Sequence, residues 1–133
     1  MTAAPIPEIP ANTLLARLGM EFSEASAERV VARIPVEGNT QPYGVLHGGA
    51  TAALCETAAS VGTALAAGPG KLVMGIELNV NHIRAVRHGH VTATGVALHV
   101  GQTTAVWDMR VHDDEGRLVA VSRLTVAIRD ARQ

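Results

Sequence analysis

The chain has 133 residues, 47% of them hydrophobic, with 11 Lys and Arg against 12 Asp and Glu for a net charge of −1. That length suits one domain with a single core, and the near-neutral balance lacks the basic excess that nucleic-acid partners select. No apolar run reads as a membrane span of roughly 20 residues, so no membrane partner is expected.

Met1 to Pro10 holds three prolines and reads as a loose tail, so residues 1–12 are expected to lead into one domain at 13–130. The opening MTAAPIPEIPANTLL has no basic region followed by an apolar stretch, which argues against a secretory leader and for a cytoplasmic location. Asn12 or Thr13 can cap a short helix, TLLARLG, that ends at Gly19. RVVARIPV, from Arg29 to Val36, is rich in β-branched residues and predicts a strand. EGNTQPYG is a loop, and a long helix is predicted from Gly48 to about Ala67, closed by GPG at Gly68 to Gly70. Four strands follow: KLVMGIELNVNHI, GHVTATGVALHVG, TTAVWDMRVHD and RLVAVSRLTVAIR, the last two joined by the tight-turn sequence DDEG. In the first of these, Val73, Gly75, Glu77 and Asn79 alternate with Leu72, Met74, Ile76, Leu78 and Val80. One helix feeding strands on short turns predicts α+β with an antiparallel sheet, because parallel strands need crossovers of a dozen or more residues.

The long helix carries an apolar stripe of Ala50, Ala53, Leu54, Thr57, Val61 and Leu65, while the opposite side, Ala52, Cys55, Ala59, Gly62 and Ala66, is scarcely polar. A helix apolar nearly all round is expected to be buried nearly all round. Glu56 is its only charged residue. Burying an unpaired carboxylate costs several kcal/mol, so it has to be neutralised or held by hydrogen bonds. Ser60, four residues on, shares its face and can hold or share a water with it. The lone Cys55 cannot form an intrachain disulfide, which suits a reducing compartment, and it points about 100° away from Glu56 and into the core.

Before the helix, His47 is followed by Gly48 and Gly49, whose backbone N–H groups can point outward at the positive end of the helix dipole. Gln41 adds a side-chain donor from the loop. A carboxylate, a helix-end donor and an amide donor are the parts needed for attack on a polarised carbonyl. Gly-Gly after His is, taken alone, most often just a tight turn.

The stretch QPYGVLHGGATAALCETAAS resembles the active-site segment of the hotdog-fold acyl-CoA thioesterases, within the PaaI-like superfamily and closest to the Arthrobacter-type 4-hydroxybenzoyl-CoA thioesterase branch. LLARLGMEF, MGIELNVNHIRAV, GHVTATGVALHVG and VHDDEGRLVAVSRLTVAI resemble the other segments of that family, so the likeness runs in order from about Leu14 to Ile128. It implies a hotdog fold: a long central helix wrapped by a curved antiparallel β-sheet. It also implies a homo-oligomer, a dimer of dimers with active sites at the subunit interface. By motif position, Gln41 and the Gly48 N–H polarise the thioester carbonyl, and Glu56 of a partner subunit acts as nucleophile or as general base on water. Ser60 holds the water or the carboxylate, and His47 orients the thioester or its sulfur. His82 lines the cleft. Apart from the resemblance, Tyr43, lying between Gln41 and His47, and Arg84 are expected to bind substrate as well. The resemblance implies acyl-CoA as substrate, with an aromatic or medium-chain acyl group, and no cofactor beyond the CoA carried by the substrate. A glutamate eight residues after Gly48 separates this chain from the phenylacetate-pathway type, which has aspartate there. Many relatives show Gly-Arg where this chain has Gly101-Gln102, so a contact of that arginine with CoA phosphates or the interface is not available here.

Arg84, Arg87, His88 and His90 form a basic cluster suited to the nucleotide end of CoA or, equally, to a solvated strand end. His88 and His90 alternate on one strand face, but no third ligand stands at a metal-site spacing, so no metal is expected. His99 and His112 read as ordinary strand residues, and Trp107 as a packing residue. Two rival functions share these features: a hotdog enoyl-CoA hydratase or dehydratase, and an acyl-CoA-binding module without turnover. Glutamate on the same helix as HGG argues against the first. The retained Glu56 and the lack of a basic helical extension argue against the second.

Overall fold

The computed structural model describes residues 5–131, so the expected tail before Pro5 lies outside the described residues. Residues 5–10 adopt no helix or strand, yet Ile9 is half-buried and packs on the core. Helix α1 spans Leu14–Leu18. Thr13, not Asn12, caps it, its hydroxyl accepting from the Ala16 N–H, and Gly19 at φ 72° ends it in the left-handed region where a Cβ is disfavoured.

Six strands follow or flank a second helix: β1 Glu21–Ala25, β2 Arg29–Pro35, α2 Gly48–Ala67, β3 Lys71–His82, β4 His90–Val100, β5 Thr104–Asp113 and β6 Leu118–Asp130. They form one antiparallel sheet in the order β1-β2-β4-β5-β6-β3. Strand β1 was not among the predicted elements. EFSEA has no apolar alternation, and it is a strand because Glu21 stands opposite Arg33 and Glu24 reaches Arg29, cross-strand ion pairs on an exposed edge.

Helix α2 packs against β2, β3, β4, β5 and β6. At 20 residues with one charged side chain it is long and apolar enough to cross a membrane, contrary to the reading of the sequence, but it lies on the sheet instead. Leu54, Cys55, Ala58 and Ala59 have no exposed surface and join Ile34, Val91, Met109, Val111 and Leu124 in one core. The buried face is Ala50, Thr51, Leu54, Cys55, Ala58, Ala59, Gly62 and Thr63; of the expected stripe Ala50, Ala53, Leu54, Thr57, Val61 and Leu65, only Ala50 and Leu54 lie on it. Small residues all round leave no periodicity to choose a face. The choice is made by fit: Gly62 seats the fully buried Trp107, whose ring atom Cη2 lies 2.2 Å from where a Cβ on residue 62 would stand. Nor is α2 buried all round, since Leu65 is exposed and Glu56, Thr57, Ser60 and Val61 are half-buried. The desolvation cost foreseen for Glu56 is therefore largely avoided.

The alternation expected along β3 breaks at a bulge between Gly75 and Glu77. Val73 and Gly75 are the half-buried positions before it, and Leu78 and Val80 after it, so Glu77 and Asn79 turn outward with Asn79 donating to Glu77 at 3.2 Å. One extra residue, Ile76, exchanges the two faces of the strand.

The β5–β6 turn closes on Asp113, whose carboxylate accepts from the N–H groups of Glu115 (3.0 Å) and Arg117 (2.9 Å) and from Arg117 Nε (2.8 Å). Burial pushes its pKa up, but the bonds from Arg117 and Glu115 outweigh this and hold it below the ordinary carboxylate value. A depressed folded-state pKa adds stability that is fully present above the unfolded value of about 3.9 and is lost as pH falls toward the folded one. Asp113→Asn is thus expected to lower stability most at neutral pH, with the gap to wild type closing below about pH 4 in denaturant titrations.

Candidate active site

The residues singled out before and within α2 divide between its two ends. His47 is the N-cap, its Nδ1 accepting from the Gly49 N–H at 2.8 Å. The ring's other nitrogen, Nε2, therefore carries the proton in the neutral form and is the donor side. This consumes one of the two glycine donors expected to be free. The Gly48 N–H has no acceptor among the described residues, and it stands at the positive end of a 20-residue helix. Gln41 is oriented by its own loop: its Oε1 accepts from the Tyr43 N–H, which leaves the Nε2 hydrogens free to donate outward.

Gln41 and Gly48 line one cavity of about 320 Å³ together with Thr51, His82, Ile83 and Arg84. His82, the last residue of β3, sits over the helix start, its Nε2 2.8 Å from the position of a Cβ on Gly48. A side chain at residue 48 would push that ring aside, and glycine keeps the N–H open to the cavity. Tyr43 is 86% exposed and does not line this cavity; its backbone, not its ring, contributes here by holding Gln41.

Glu56 lies elsewhere. With Thr57 and Ser60 it lines a second cavity of about 500 Å³ whose walls are Leu14, Leu15, Ala53, Val61, Ala64 and Val73. The two cavities share no residue. Eight residues of helix separate Gly48 from Glu56, about 12 Å at 1.5 Å per residue. Reading the sequence found Glu56 and Ser60 but missed the apolar wall from α1, for which the signal was a leucine pair, Leu14-Leu15, on a helix too short to bury both. It also missed Gly75, whose Cβ position lies 2.7 Å from the Glu56 Oε2.

The basic cluster is dispersed. Arg84 lines the Gln41–Gly48 cavity, whereas Arg87 and His88 line polar hollows beside Asp113–Arg117 and Glu37–Thr40. His90 is half-buried in β4, and Gln102 is exposed beside Lys71 and the C-terminal end of α2. Cys55 is fully buried, and burial pushes its thiol up to about 12, with the nearby Ser122 hydroxyl opposing. A thiol so protonated is no nucleophile at neutral pH.

Residues 43–120, which include Gly48, Glu56, Ser60, His82 and Arg84, match the family model described as Thioesterase superfamily. A 1,4-dihydroxy-2-naphthoyl-CoA hydrolase of Listeria monocytogenes is 38% identical over 117 residues, 87% of this chain and 95% of that protein. A proofreading thioesterase, EntH, of Cronobacter turicensis is 36% identical over 129 residues, 96% of this chain and 94% of that one. A Staphylococcus aureus protein, described as a thioesterase enzyme, has crystal structures of a glutamine-to-alanine and a glutamate-to-alanine variant. They match at TM-scores of 0.85 and 0.87 and 40% identity, covering 87% and 90% of this chain and 98% and 100% of theirs. With its long helix on a six-stranded antiparallel sheet, the donors at the helix start and the glutamate two turns on, this chain belongs to the thioesterase superfamily.

Proposed function

We propose that this enzyme hydrolyses an acyl-CoA thioester to a free acid and CoA, with Gln41 and the Gly48 N–H of one copy polarising the carbonyl and Glu56 of a second copy acting on it. The observation that carries this reading is the separation of the two half-sites on α2. A carbonyl held at the Gly48 N–H stands about 12 Å along the helix from the same chain's Glu56, well beyond reach of its side chain. A second copy across the interface removes the difficulty. The outer edge of β3 supports such pairing. It is a 12-residue edge strand on which Leu72, Met74 and Ile76 are each at least half exposed, the kind of edge that recruits another strand. Such dimers associate in pairs, following the family resemblance.

Glu56 then has two courses. Its carboxylate attacks the carbonyl carbon, expelling the CoA thiolate and leaving a mixed anhydride for water to cleave, or it takes the proton from a water that attacks directly. In both, negative charge grows on the carbonyl oxygen, where the Gly48 N–H and Gln41 Nε2 donate. Ser60 lies one turn on from Glu56 in the same cavity, placed to hold that water. His82 and Arg84 line the same cavity as the donors. The apolar wall of Leu14, Leu15, Val61 and Val73 beside Glu56 suits an aromatic or medium-chain acyl group. The substrate named for the Listeria relative agrees with a thioester of this kind, the Cronobacter relative is named a thioesterase, and within the family the 4-hydroxybenzoyl-CoA branch is the nearest fit by motif. The two replaced residues of the Staphylococcus aureus protein stand fifteen positions apart, the spacing of Gln41 and Glu56.

The test is release of free thiol from a panel of aryl- and alkyl-CoA thioesters. Turnover is expected, with Gln41→Ala reduced about 100- to 1,000-fold in kcat, the loss typical of one oxyanion donor. A wild-type protein that binds acyl-CoA yet releases no thiol from any member of the panel would overturn the assignment.

A further inference from the structure

The half-site around Glu56 has a wall that the helix does not supply. Gly75 of β3 faces it, and the position of a Cβ on Gly75 is 2.7 Å from Glu56 Oε2 and 3.1 Å from Glu56 Cδ. A real Cβ does not approach a carboxylate oxygen so closely, so any side chain at residue 75 would displace the carboxylate. The next nearest atom is the Leu124 Cδ1 at 3.3 Å, the end of a side chain able to shift by a few tenths of an ångström.

Backbone demands do not account for this glycine. Seven glycines of the chain adopt positive φ, and Gly75 is not among them. It lies within a strand, where glycine costs about 0.5–1 kcal/mol relative to alanine. The space, not the dihedral angle, is what the residue provides.

The bulge that follows has a related effect. Strict alternation along β3 would set Glu77 on the same face as Val73 and Gly75, toward α2. The extra residue Ile76 turns Glu77 outward, to accept from Asn79 on the far face, and brings Leu78 inward instead. A second carboxylate is thereby kept from the wall that Glu56 lies against. Glycine and bulge together form a slot one carboxylate wide.

We propose that Gly75 is a positioning residue that sets the place of the Glu56 carboxylate by offering no side chain against it, with the adjoining bulge excluding Glu77 from the same slot. This rests on Glu56 being the acting carboxylate, as proposed above.

The test is Gly75→Ala assayed by thiol release from the best acyl-CoA of the panel. Displacing the carboxylate by an ångström is expected to lower kcat about 100-fold, with KM near wild type because the acyl and CoA contacts lie on other residues. The melting temperature is expected to stay level or rise, which a merely structural glycine would not allow. Glu56→Asp withdraws the carboxylate by one methylene, so combined with Gly75→Ala it should cost less than it does in wild type. Wild-type kcat for Gly75→Ala, or a fall in kcat that accompanies a lower melting temperature and adds fully with Glu56→Asp, would overturn the proposal. Failure of the underlying reading looks different: Glu56→Gln would then keep wild-type turnover, whatever Gly75→Ala does.

Discussion

Glu56→Gln is expected to reduce kcat for thiol release at least about 100-fold while the protein stays folded and KM changes little. The amide has nearly the volume of the carboxylate and meets the same Gly75 slot, so packing is unaltered. What it lacks is a lone pair basic enough to take a proton from water or to attack a thioester. Glu56 is half-buried in a cavity with apolar walls, and no other carboxylate is among the described residues that line it. Parallel thermal melts separate a lost reaction from a lost fold. A variant as active as wild type would make Glu56 a structural residue and shift the chemistry elsewhere.

Trp107→Ala is expected to have the largest effect on stability, about 3–5 kcal/mol by denaturant titration. Trp107 is fully buried and is the largest residue of the core in a chain with only three aromatic residues. Its six-membered ring fills the hollow that Gly62 leaves in α2, with Cη2 and Cζ2 at 2.2 and 2.4 Å from the position of a Cβ on that glycine. The reverse change, Gly62→Ala, overfills the same contact and is expected to cost about 1–3 kcal/mol. The two sites are coupled. Trp107→Phe removes the outer ring atoms that an alanine at residue 62 would strike, so the double variant should be more stable than the sum of the single losses predicts. Trp107→Phe also removes a buried indole N–H that has no partner, which softens the cost of the smaller ring. Additive losses would mean that helix and strand do not meet through this pair.

Much of the framework was legible because local chemistry determined it. The ends of α2 followed from His-Gly-Gly at one end and Gly-Pro-Gly at the other, and the structure bounds it at Gly48–Ala67. The four strands after it are long, β-branched and separated by glycine turns, and each is found. What escaped depended on partners distant in sequence. Strand β1 is held by arginines of β2, and nothing within EFSEA announces them. The buried face of α2 was misread because alanine on every side carries no moment, and the face is set by Trp107 meeting Gly62. The bulge at Ile76 reversed the expected faces of β3, since a period of two cannot reveal one inserted residue.

The site was readable to the same extent. Gln41, Gly48 and Glu56 were chosen for donor and acceptor chemistry, and the structure gives the first two one cavity and the third another. That His47 would take the Gly49 N–H for itself follows from cap geometry, which residue type alone does not specify. Tyr43 was expected to touch the substrate because it lies between Gln41 and His47. Its ring points to solvent, and only its backbone bears on Gln41. The contact of Gly75 with Glu56 joins residues nineteen positions apart on different elements, so no local pattern could have signalled it.

The division of the site between two copies is the central claim, and complementation tests it most directly. Gln41→Ala and Glu56→Gln, each nearly inactive alone, are co-expressed with different tags, and the mixed oligomer is isolated and assayed for thiol release. If the donors of one copy serve the carboxylate of the other, a mixed dimer has one intact site and one doubly defective site. The isolated mixed dimer then recovers about half of wild-type activity, and an unfractionated equal mixture assorting at random about a quarter. If both groups act within one chain, every site in the mixed oligomer carries one defect, and activity stays at the level of the single variants. That result would contradict the account.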